Sequence, residues 1–474
     1  MTSFHSATQI TAQVRAGEST AVSQVQAAKQ RIATLDHRFN AITVVRDSAT
    51  AEAAAVDKNL HEAAQPTHPL AGVPVVVKEE YDIAGDVTTL GGCGNLNPTA
   101  FTAPVITKLR DAGAVVVART NMPEFGQFPA GESEYHGATL NPWNPNYSPG
   151  GSSAGSAVAV ATGMVPVALG ADGGGSLRIP AAACGVFGLK PTRGRISSAP
   201  LTEHWHGLAT FGAITRTAQD MATTLDTISG NEPHDVWRLD SPTQSFTEAV
   251  SAGATGKFYG VNNRNLRVRF ALAPILRGIR INTEVGMAMQ AFLPRLTALG
   301  HEVKQTQFRW PDPSNAFVPL HLSGMHVETK QVQFRRNLTS RTKKTARVGM
   351  LVPPFAVRQA QLRAEKLAHA VDELFQGADL IALPTQVDLP EKAHAYANLS
   401  WRASLTLARK DIANAALFNV TGHPAMSIHA GFSAAGVPIG IQFVAKRGAE
   451  GMLLALAAQL EAAGGIVAEW SDTV

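Results

Sequence analysis

A lysine and two serine clusters are the residues of this sequence best suited to do chemistry. Ser152 and Ser153 lie together in the segment GGSSAG, and Ser176 follows three consecutive glycines. Lys78 ends the apolar run GVPVVVK. A serine hydroxyl is a weak nucleophile until a base accepts its proton, and a lysine amine can be that base only when it is neutral. Burial after an apolar run favours the neutral amine, so these residues could form a nucleophilic site without histidine.

The glycines before Ser176 could supply a second catalytic element. Gly173, Gly174 and Gly175 have no side chains, so their backbone N–H groups can converge on the oxygen of an approaching carbonyl. In an oxyanion hole of this kind, one donor contributes about 2.7–4 kcal/mol to transition-state stability. The same run could instead form a flexible turn or an anion-binding nest, although the Lys-Ser/Thr ending of a phosphate-binding P-loop is absent.

Each of these side chains also has a simpler interpretation. Lys78 could be a solvated lysine at the end of a strand, or Glu79 and Glu80 could instead keep it charged. The Ser152 hydroxyl both donates and accepts, so it could relay protons between Lys78 and Ser176. The two adjacent serines could equally cap the helix that is expected to follow them.

Two competing motifs overlap with these residues. The segment 151–155 (GSSAG) matches the G-x-S-x-G nucleophile elbow of α/β-hydrolases, but a turn-rich loop precedes it where the elbow needs a strand. His204 and His206 form an H-x-H pair that could bind a metal ion, yet no further ligands accompany them at suitable spacing. We therefore expect neither a nucleophile at Ser153 nor a metal ion or other cofactor.

The pattern around these motifs predicts an α/β fold. A continuous valine run suits a strand that is buried on both faces, and helices alternate with such strands. This alternation predicts a single large domain built on a twisted mixed sheet, mostly parallel, with helices on both faces. Strands are predicted at 70–78, 114–118, 165–169, 266–272, 379–383, 425–429 and 438–444, and helices at 19–35, 48–60, 104–112, 156–163, 284–299, 357–375 and 450–463. The loop 170–176 follows a strand end, where open α/β sheets place ligands.

The segment 310–365 interrupts this pattern. It is polar, basic and irregular until a helix near residue 357, so it could form a cap or lid over the site. The densest basic runs, 335–347 and 264–269, could attract phosphates or acidic lipids or could be solvated surface. Aromatic residues do not alternate with these basic residues, so a nucleic-acid partner is not expected.

Composition indicates a globular protein with a large core. The chain has 474 residues, of which 45% are hydrophobic, and a formal net charge of +4. Cys93 and Cys184 are too few for a disulfide scaffold, which favours reduced thiols in a cytoplasmic protein. The first twenty residues lack the apolar run of a secretory signal, and no stretch approaches the ~20 apolar residues of a membrane span. We expect no membrane partner, and a homodimer stays open.

Several long segments together resemble the amidase signature family of serine hydrolases. They are GVPVVVKE, TNMPEFG, NPWNPNYSPGGSSAGSA, GADGGGSLRIPAAACGVFGLKPTRGR, FNVTGHPAMSI and GVPIGIQFVA. The resemblance covers nearly the whole chain, so residues 1–474 are expected to form one amidase domain with a core signature region at about 70–225. Because the central segments are long, the resemblance is specific.

The resemblance implies a role for each candidate residue. Its catalytic set falls on Lys78, on Ser152 next to a cis peptide bond, and on the nucleophile Ser176. The positions implied to assist are the oxyanion or substrate-binding residues Gly173, Gly174, Gly175, Gly126 and Gln127, the supporting Ser153, and the ion pair of Asp172 with Arg178. The glycines at 173 and 174 replace a bulkier pair common in the family, which would widen the acyl pocket.

The implied activity is hydrolysis of a small-molecule amide to an acid and an amine or ammonia, without a cofactor. Protons would pass from Ser176 through Ser152 to Lys78, and an acyl-enzyme would form on Ser176. A glutamine-hydrolysing component of a tRNA-amidating complex is the alternative, although the segment EFGQFPAGESEYHG looks more like the stand-alone amidases. The substrate stays open among aryl, aliphatic, peptide and ω-amino acid amides and hydrazides.

Overall fold

The computed structural model describes residues 4–62, 68–258, 260–262, 264–466 and 468–471. Within these residues it contains thirteen strands, several of them rich in the β-branched residues that favour sheets. In chain order they are β1 (Ile42–Val45), β2 (Pro74–Lys78), β3 (Val115–Thr120), β4 (Glu132–Ser133), β5 (Gly137–Ala138), β6 (Val167–Asp172), β7 (Phe187–Lys190), β8 (Thr210–Thr215), β9 (Arg267–Phe270), β10 (Glu302–Gln305), β11 (Leu380–Pro384), β12 (Ala425–Phe432) and β13 (Pro438–Ala445).

Eleven of these strands form one sheet, in the order β1-β3-β2-β6-β8-β7-β12-β13-β11-β9-β10, while β4 and β5 pair separately. Four neighbouring pairs are parallel, in the groups β3-β2-β6 and β11-β9-β10, and six are antiparallel. The predicted single α/β domain with a mixed sheet is confirmed. Its parallel share is smaller than expected. Four of the six antiparallel pairs involve β1, β7 or β8, which were not predicted, and the other two join β13 to the predicted strands β11 and β12.

The described residues also contain fifteen α-helices. They are α1 (Ala7–Arg15), α2 (Ala21–Leu35), α3 (Ala49–Glu62), α4 (Pro104–Asp111), α5 (Ala154–Ala161), α6 (Arg178–Cys184), α7 (Ala218–Ile228), α8 (Phe246–Gly253), α9 (Thr283–Ala298), α10 (Ser314–Glu328), α11 (Ser340–Met350), α12 (Pro354–Leu374), α13 (Trp401–Asp411), α14 (Ala416–Thr421) and α15 (Glu450–Ala462). None of them is both long and apolar enough to cross a membrane.

Strand β2 illustrates why helices cover both faces of the sheet. Val75 and Val77 belong to one hydrophobic cluster and Val76 to another, because successive side chains of a strand point to opposite faces. All three are fully buried. The first cluster includes side chains of α4 and α7, and the second includes side chains of α2 and α5.

The segment 310–365 is largely helical, where the sequence analysis expected an irregular region. It contains α10, α11 and the start of α12. The buried face of α11 consists of small and polar side chains: Thr342, Thr345, Ala346 and Gly349. A face of this composition leaves no apolar periodicity in the sequence, so the helix could not be recognised from hydrophobicity.

Parallel pairing brings the two predicted chemical segments to one edge of the sheet. Strands β2 and β6 are parallel neighbours, with Val77 opposite Leu169. The carboxyl ends of both strands therefore meet, and they carry Lys78 and the glycine loop that begins after Asp172. Helix α5 starts directly after the serine pair.

Candidate active site

Lys78 and Ser152 are in direct contact. Lys78 is the last residue of β2, and its side chain is only 1% exposed because the strand is buried on both faces. Its Nζ lies 2.9 Å from Ser152 Oγ, within hydrogen-bond distance. The peptide bond between Gly151 and Ser152 is cis, as the resemblance implied. The lysine is therefore not a solvated strand end.

Ser176 lies in the loop between β6 and α6, and it is 7% exposed. Ser153 connects this loop to the other serine segment. The Ser153 backbone N–H donates to the Ser176 carbonyl oxygen at 3.2 Å, and its Oγ donates to the carbonyl of Ala171 at 3.2 Å. This geometry agrees with a supporting position for Ser153, since its hydroxyl is already committed to the backbone of β6.

Gly126 lies against the lysine and its serine partner. Its φ is +64°, and a Cβ built there would be 2.9 Å from Ser152 Oγ and 3.5 Å from Lys78 Nζ. Any larger residue at 126 would therefore displace the Lys78–Ser152 contact.

A buried ion pair holds the glycine loop. Asp172 accepts hydrogen bonds from Arg178 Nε and Nη2, both at 2.9 Å, and neither side chain is exposed. Asp172 also accepts from the backbone N–H groups of Gly175 at 2.7 Å and Leu177 at 3.1 Å. Burial by itself would raise the pKa of Asp172, but the Arg178 charge and the hydrogen bonds from Arg178 and Asn419 hold it well below its usual range.

The three glycines that were expected to be oxyanion donors differ in whether their N–H groups are already hydrogen-bonded. The N–H of Gly175, a residue with φ +128°, is occupied because it donates to Asp172. By contrast, the N–H groups of Gly173, Gly174 and Ser176 have no acceptor among the described residues. These three groups are therefore free to bind an oxygen from outside the protein, and Gly175 instead fixes the loop.

Two amide side chains that the sequence analysis did not identify complete this loop. Asn419 Nδ2 donates to the carbonyl and carboxylate oxygens of Asp172 at 2.7 and 2.8 Å, and Asn419 Oδ1 accepts from Arg178 Nη2 at 2.8 Å. Gln442 Oε1 accepts from Arg178 Nη1 at 3.0 Å. Both amides lie more than 200 residues from these partners, so no local spacing could have paired them.

A cavity of about 360 Å³ opens beside Ser176, and we call it the serine pocket. Its walls are mostly apolar and aromatic, and they come largely from residues 126–129, from the glycine loop before α6, and from α10, α13 and α14. The lining residues are Gly126, Gln127, Phe128, Pro129, Gly174, Ser176, Trp205, Leu276, Pro313, Ser314, Phe317, Val318, His321, Leu322, Trp401, Leu405, Ala408, Arg409, Ile412 and Ala416.

A family model described as Amidase matches residues 23–454. The chain belongs to the amidase signature family. It is 36% identical over 454 residues to "Putative amidase AmiB2" of Mycobacterium tuberculosis, across 94% of this chain and 93% of that protein. It is 32% identical over 503 residues to one component of the glutamyl-tRNA(Gln) amidotransferase of Deinococcus radiodurans, across 99% of both. The structure of 6-aminohexanoate cyclic dimer hydrolase complexed with substrate matches with a TM-score of 0.88 and 28% identity, across 97% of both chains.

Membership makes this protein a hydrolase that acts on the carbon–nitrogen bonds of amides. In this amidase, Gln127 lines the serine pocket but its side-chain amide is already bonded. Nε2 donates to Thr342 Oγ1 at 2.5 Å and to the Glu124 carbonyl at 3.2 Å, while Oε1 accepts from Thr345 Oγ1 at 2.9 Å. Gln127 was expected to bind substrate, and its amide instead connects the pocket wall to α11.

His321 is a polar side chain in the mostly apolar wall of the amidase pocket. It is 7% exposed, stacks on Phe317 and meets the Trp205 ring edge-on. No described residue provides a hydrogen bond to its Nδ1. Burial lowers the pKa of His321 to about 4, so the imidazole is neutral at neutral pH.

The space above Gly173 is filled, contrary to the expectation of a wider acyl pocket. A Cβ built on Gly173 would lie 2.6 Å from Cζ3 of Trp205, so this glycine lets the indole ring approach the loop. Trp205 itself has φ +48°, an uncommon backbone conformation for a bulky residue. Glu328 holds it there, accepting from the Trp205 backbone N–H at 3.2 Å and from its Nε1 at 3.0 Å.

A second cavity, of about 530 Å³, lies on the other side of Trp205. Four carboxylate side chains and two histidines are among its lining residues, so we call it the carboxylate cavity. They are Glu80, Asp82, Glu203, Glu328, His204 and His206. Within the described ranges, no group of three or more histidine, cysteine, aspartate or glutamate side chains could hold a metal ion.

The histidines considered as metal ligands instead hydrogen-bond to carboxylates. His204 Nδ1 lies 2.7 Å from Glu328 Oε1, and its Nε2 lies 3.7 Å from Glu80 Oε2. Burial disfavours the charged imidazole of His204, but the carboxylates of Glu328 and Glu80 outweigh that effect and raise its pKa to about 10. His206 Nδ1 lies 2.9 Å from Glu203 Oε1.

Proposed function

We propose that this amidase cleaves a neutral amide with a bulky apolar group through an acyl-enzyme on Ser176, with Ser152 and Lys78 as the proton relay. The observation that carries the proposal is the 2.9 Å contact between Lys78 Nζ and Ser152 Oγ, buried behind a pocket that Ser176 lines. Such a site provides a base that is shielded from water next to a hydroxyl that both accepts and donates a proton.

In the acylation step, Ser176 Oγ attacks the carbonyl carbon of the amide. The Ser176 proton passes to Ser152 Oγ, and the Ser152 proton passes to Lys78 Nζ, which becomes an ammonium. The carbonyl oxygen gains the negative charge and accepts hydrogen bonds from the free N–H groups of Gly173, Gly174 and Ser176. When the carbon–nitrogen bond breaks, the same relay returns the proton to the leaving nitrogen, and the amine departs.

In the deacylation step, a water molecule attacks the ester carbonyl of Ser176. The relay accepts one proton of that water through Ser152 and Lys78, and the same N–H groups stabilise the second oxyanion. The bond between the acyl carbon and Ser176 Oγ then breaks, and Oγ recovers its proton from Ser152. The carboxylic acid leaves and the resting relay is restored.

The composition of the serine pocket supports the substrate class. Its aromatic and aliphatic walls favour an apolar group, and burial keeps His321 neutral, so this histidine adds no positive charge to the wall. Arg409 is the cationic side chain in the lining, and its Nη2 donates to the Arg277 carbonyl at 3.0 Å. An aromatic or medium-length aliphatic amide fits this chemistry. The related 6-aminohexanoate cyclic dimer hydrolase is named for an amide with an aliphatic chain.

Helix α10 supports a cap function for the segment 310–365. Pro313, Ser314, Phe317, His321 and Leu322 line the serine pocket, so this segment forms part of the pocket wall.

The test is covalent labelling of Ser176 with an alkyl fluorophosphonate, followed by peptide mass spectrometry and an amide hydrolysis screen. We expect the label on Ser176 alone, and a loss of at least about 10³-fold in amide turnover for Ser176→Ala. Ser153→Ala is the matched control and should keep the label on Ser176. A label on Ser153, or an unchanged turnover in Ser176→Ala, would contradict the assignment.

The likeness to the amidotransferase component favours one second candidate, hydrolysis of glutamine within a larger complex. Glutamine carries a charged amino-acid head, for which the mostly apolar serine pocket offers few partners. Purification from its source would discriminate the two functions. Co-purification of a stable partner protein, with ammonia release from glutamine, would favour the second candidate, and activity of the isolated chain on apolar amides would favour the first.

A further inference from the structure

Lys78 has a second close neighbour that the proton relay does not use. Its Nζ lies between two oxygens, Ser152 Oγ at 2.9 Å and Glu80 Oε1 at 3.1 Å. The Glu80 side chain is 6% exposed, and no hydrogen bond from a described residue reaches its Oε1. A buried carboxylate without such a bond depends on a neighbouring positive charge for its stability. Nζ can provide that charge only when it carries a proton.

A second cation balances Glu80 from the opposite side. His204 Nε2 is 3.7 Å from Glu80 Oε2, and His204 Nδ1 is 2.7 Å from Glu328 Oε1. The side chains in the series Lys78, Glu80, His204 and Glu328 are all at most 11% exposed. They come from the end of β2, from the loop before β8 and from α10.

The other charged groups near this series are occupied elsewhere. Glu79 faces away, where its Oε2 pairs with Arg119 Nε at 3.2 Å. Glu203 pairs with His206, whose Nε2 also lies 3.1 Å from Ser323 Oγ. Their neighbours on the same elements are Tyr81, which donates to the Gly170 carbonyl, Asp82, which accepts from Thr88, and the neutral His321.

We propose that Glu80 and His204 are positioning residues whose opposite charges control how easily Lys78 accepts a proton from Ser152 and returns it. Glu80 stabilises the Lys78 ammonium that forms when Ser176 attacks, and His204 limits this stabilisation so that the ammonium can give the proton back. The inference rests on the proposed relay and extends it beyond the three residues of the family's catalytic set.

The charges explain why both partners are needed. With Lys78 neutral, the carboxylates of Glu80 and Glu328 exceed the single charge of His204 by one unit. When Lys78 gains a proton, the buried series becomes neutral overall, so proton transfer from Ser152 is favoured. Without His204, the carboxylates of Glu80 and Glu328 would have no cation other than Lys78 to offset them, which disfavours return of the proton from Lys78.

This arrangement predicts pH shifts of opposite sign for the two positions. The acid limb is the pH range over which Ser176 reactivity falls as the solution becomes more acidic. Glu80→Gln removes the anion next to Lys78, so the acid limb should move down by about 1–3 pH units. His204→Gln removes the cation that offsets Glu80, and should move the acid limb in the opposite direction, to higher pH. A purely structural role for either residue would lower the rate at every pH and leave the limb in place.

The experiment measures the second-order rate of Ser176 labelling by an alkyl fluorophosphonate across acid to alkaline pH. It compares the wild type with Glu80→Gln, His204→Gln and the charge-preserving Glu80→Asp. The control His206→Gln changes a histidine of the same cavity that contacts neither Lys78 nor Glu80. We expect the acid limb to lie at lower pH in Glu80→Gln and at higher pH in His204→Gln. In Glu80→Asp and His206→Gln it should lie close to its position in the wild type.

Each result has a defined meaning. Unshifted limbs in both variants, or shifts in the same direction, would overturn the inference. If thermal melting shows that Glu80→Gln is unfolded, the direction of the His204→Gln shift decides alone. Absence of label on Ser176 in the folded wild type at every pH would instead contradict the proposed function, so the two failures are distinguishable.

Discussion

The two cavities that meet at Trp205 shift the pKa of a buried histidine in opposite directions. In the serine pocket, burial lowers the pKa of His321 to about 4, because no carboxylate faces it. In the carboxylate cavity, Glu328 and Glu80 outweigh burial and raise the pKa of His204 to about 10. The serine pocket therefore disfavours a charged histidine, and the carboxylate cavity stabilises one. The candidate proton relay lies between them, with Ser176 on the apolar side and Glu80 on the charged side.

This difference suits the chemistry that an amidase requires. An oxyanion is stabilised most by fixed N–H donors in a site without water, which the apolar side provides. A lysine that gains and loses a proton needs nearby charge that is already buried and compensated, which the charged side provides. Trp205 separates the two environments, and Glu328 binds both its backbone N–H and its indole Nε1.

The largest effect is expected from a change at Lys78, whose Nζ lies close to both Ser152 and Glu80. We expect Lys78→Ala to lower kcat on amides by about 10²–10⁴-fold, because no base then accepts the proton and no acid returns it to the leaving nitrogen. An activated ester has a leaving group that departs without a proton, so its hydrolysis should lose much less. The measurement is the ratio of kcat for a matched amide and ester pair.

Arg119→Lys is a control for general damage near β2, because Arg119 pairs with Glu79 and not with the relay. It should leave the amide-to-ester ratio unchanged. Equal losses on amide and ester in Lys78→Ala would mean that Lys78 does not protonate the leaving group.

The residues of the proposed relay could be singled out from sequence because they lie in long segments with their own signatures. Lys78, Ser152 and Ser176 were identified this way, and so was the Asp172–Arg178 pair that the structure contains. The role of Gly175 could not be, since the direction of its N–H depends on the three-dimensional loop rather than on residue type.

Of the carboxylate cavity, only the pairing of Glu80 with Lys78 could be anticipated from sequence. Glu80 and Glu328 are far apart in the sequence, and the contact between them runs through His204, which the sequence offered only as half of a metal-like pair. Helix α10, which carries both Glu328 and His321, lies in the segment that the sequence analysis expected to be irregular. Long-range pairing of polar residues leaves no local periodicity to detect.

The pH dependence of protein stability tests whether the serine pocket keeps His321 neutral. The pKa of His321 is lower in the folded protein than its ordinary value of about 6.5, so its stabilising effect is complete above that pH and is lost as pH falls towards 4. His321→Phe should abolish this loss, which amounts to about 3 kcal/mol for one fully buried group. The measurement is the free energy of unfolding in urea at neutral and at acid pH.

The exposed His234 provides the control, since His234→Phe should leave the acid dependence of unfolding as in the wild type. The same acid loss in His321→Phe and in wild type would show that the serine pocket tolerates a charged histidine. That result would remove half of the contrast between the cavities.

The smallest effect is expected at Gly173, the glycine that lets the Trp205 indole approach the loop. A change there tests whether Trp205 separates the two cavities. A Cβ on Gly173 would lie 2.6 Å from the Trp205 ring, whereas a Cβ on Gly174 would lie 3.3 Å from Phe317 Cζ. We expect Gly173→Ala to cost about 1–3 kcal/mol of unfolding free energy through overpacking, and Gly174→Ala to cost less. Because Trp205 also contacts Glu328, its displacement in Gly173→Ala should weaken the charged side and move the acid limb of Ser176 labelling. An unmoved limb despite lower stability would show that the two cavities are independent, with Trp205 acting only as a wall.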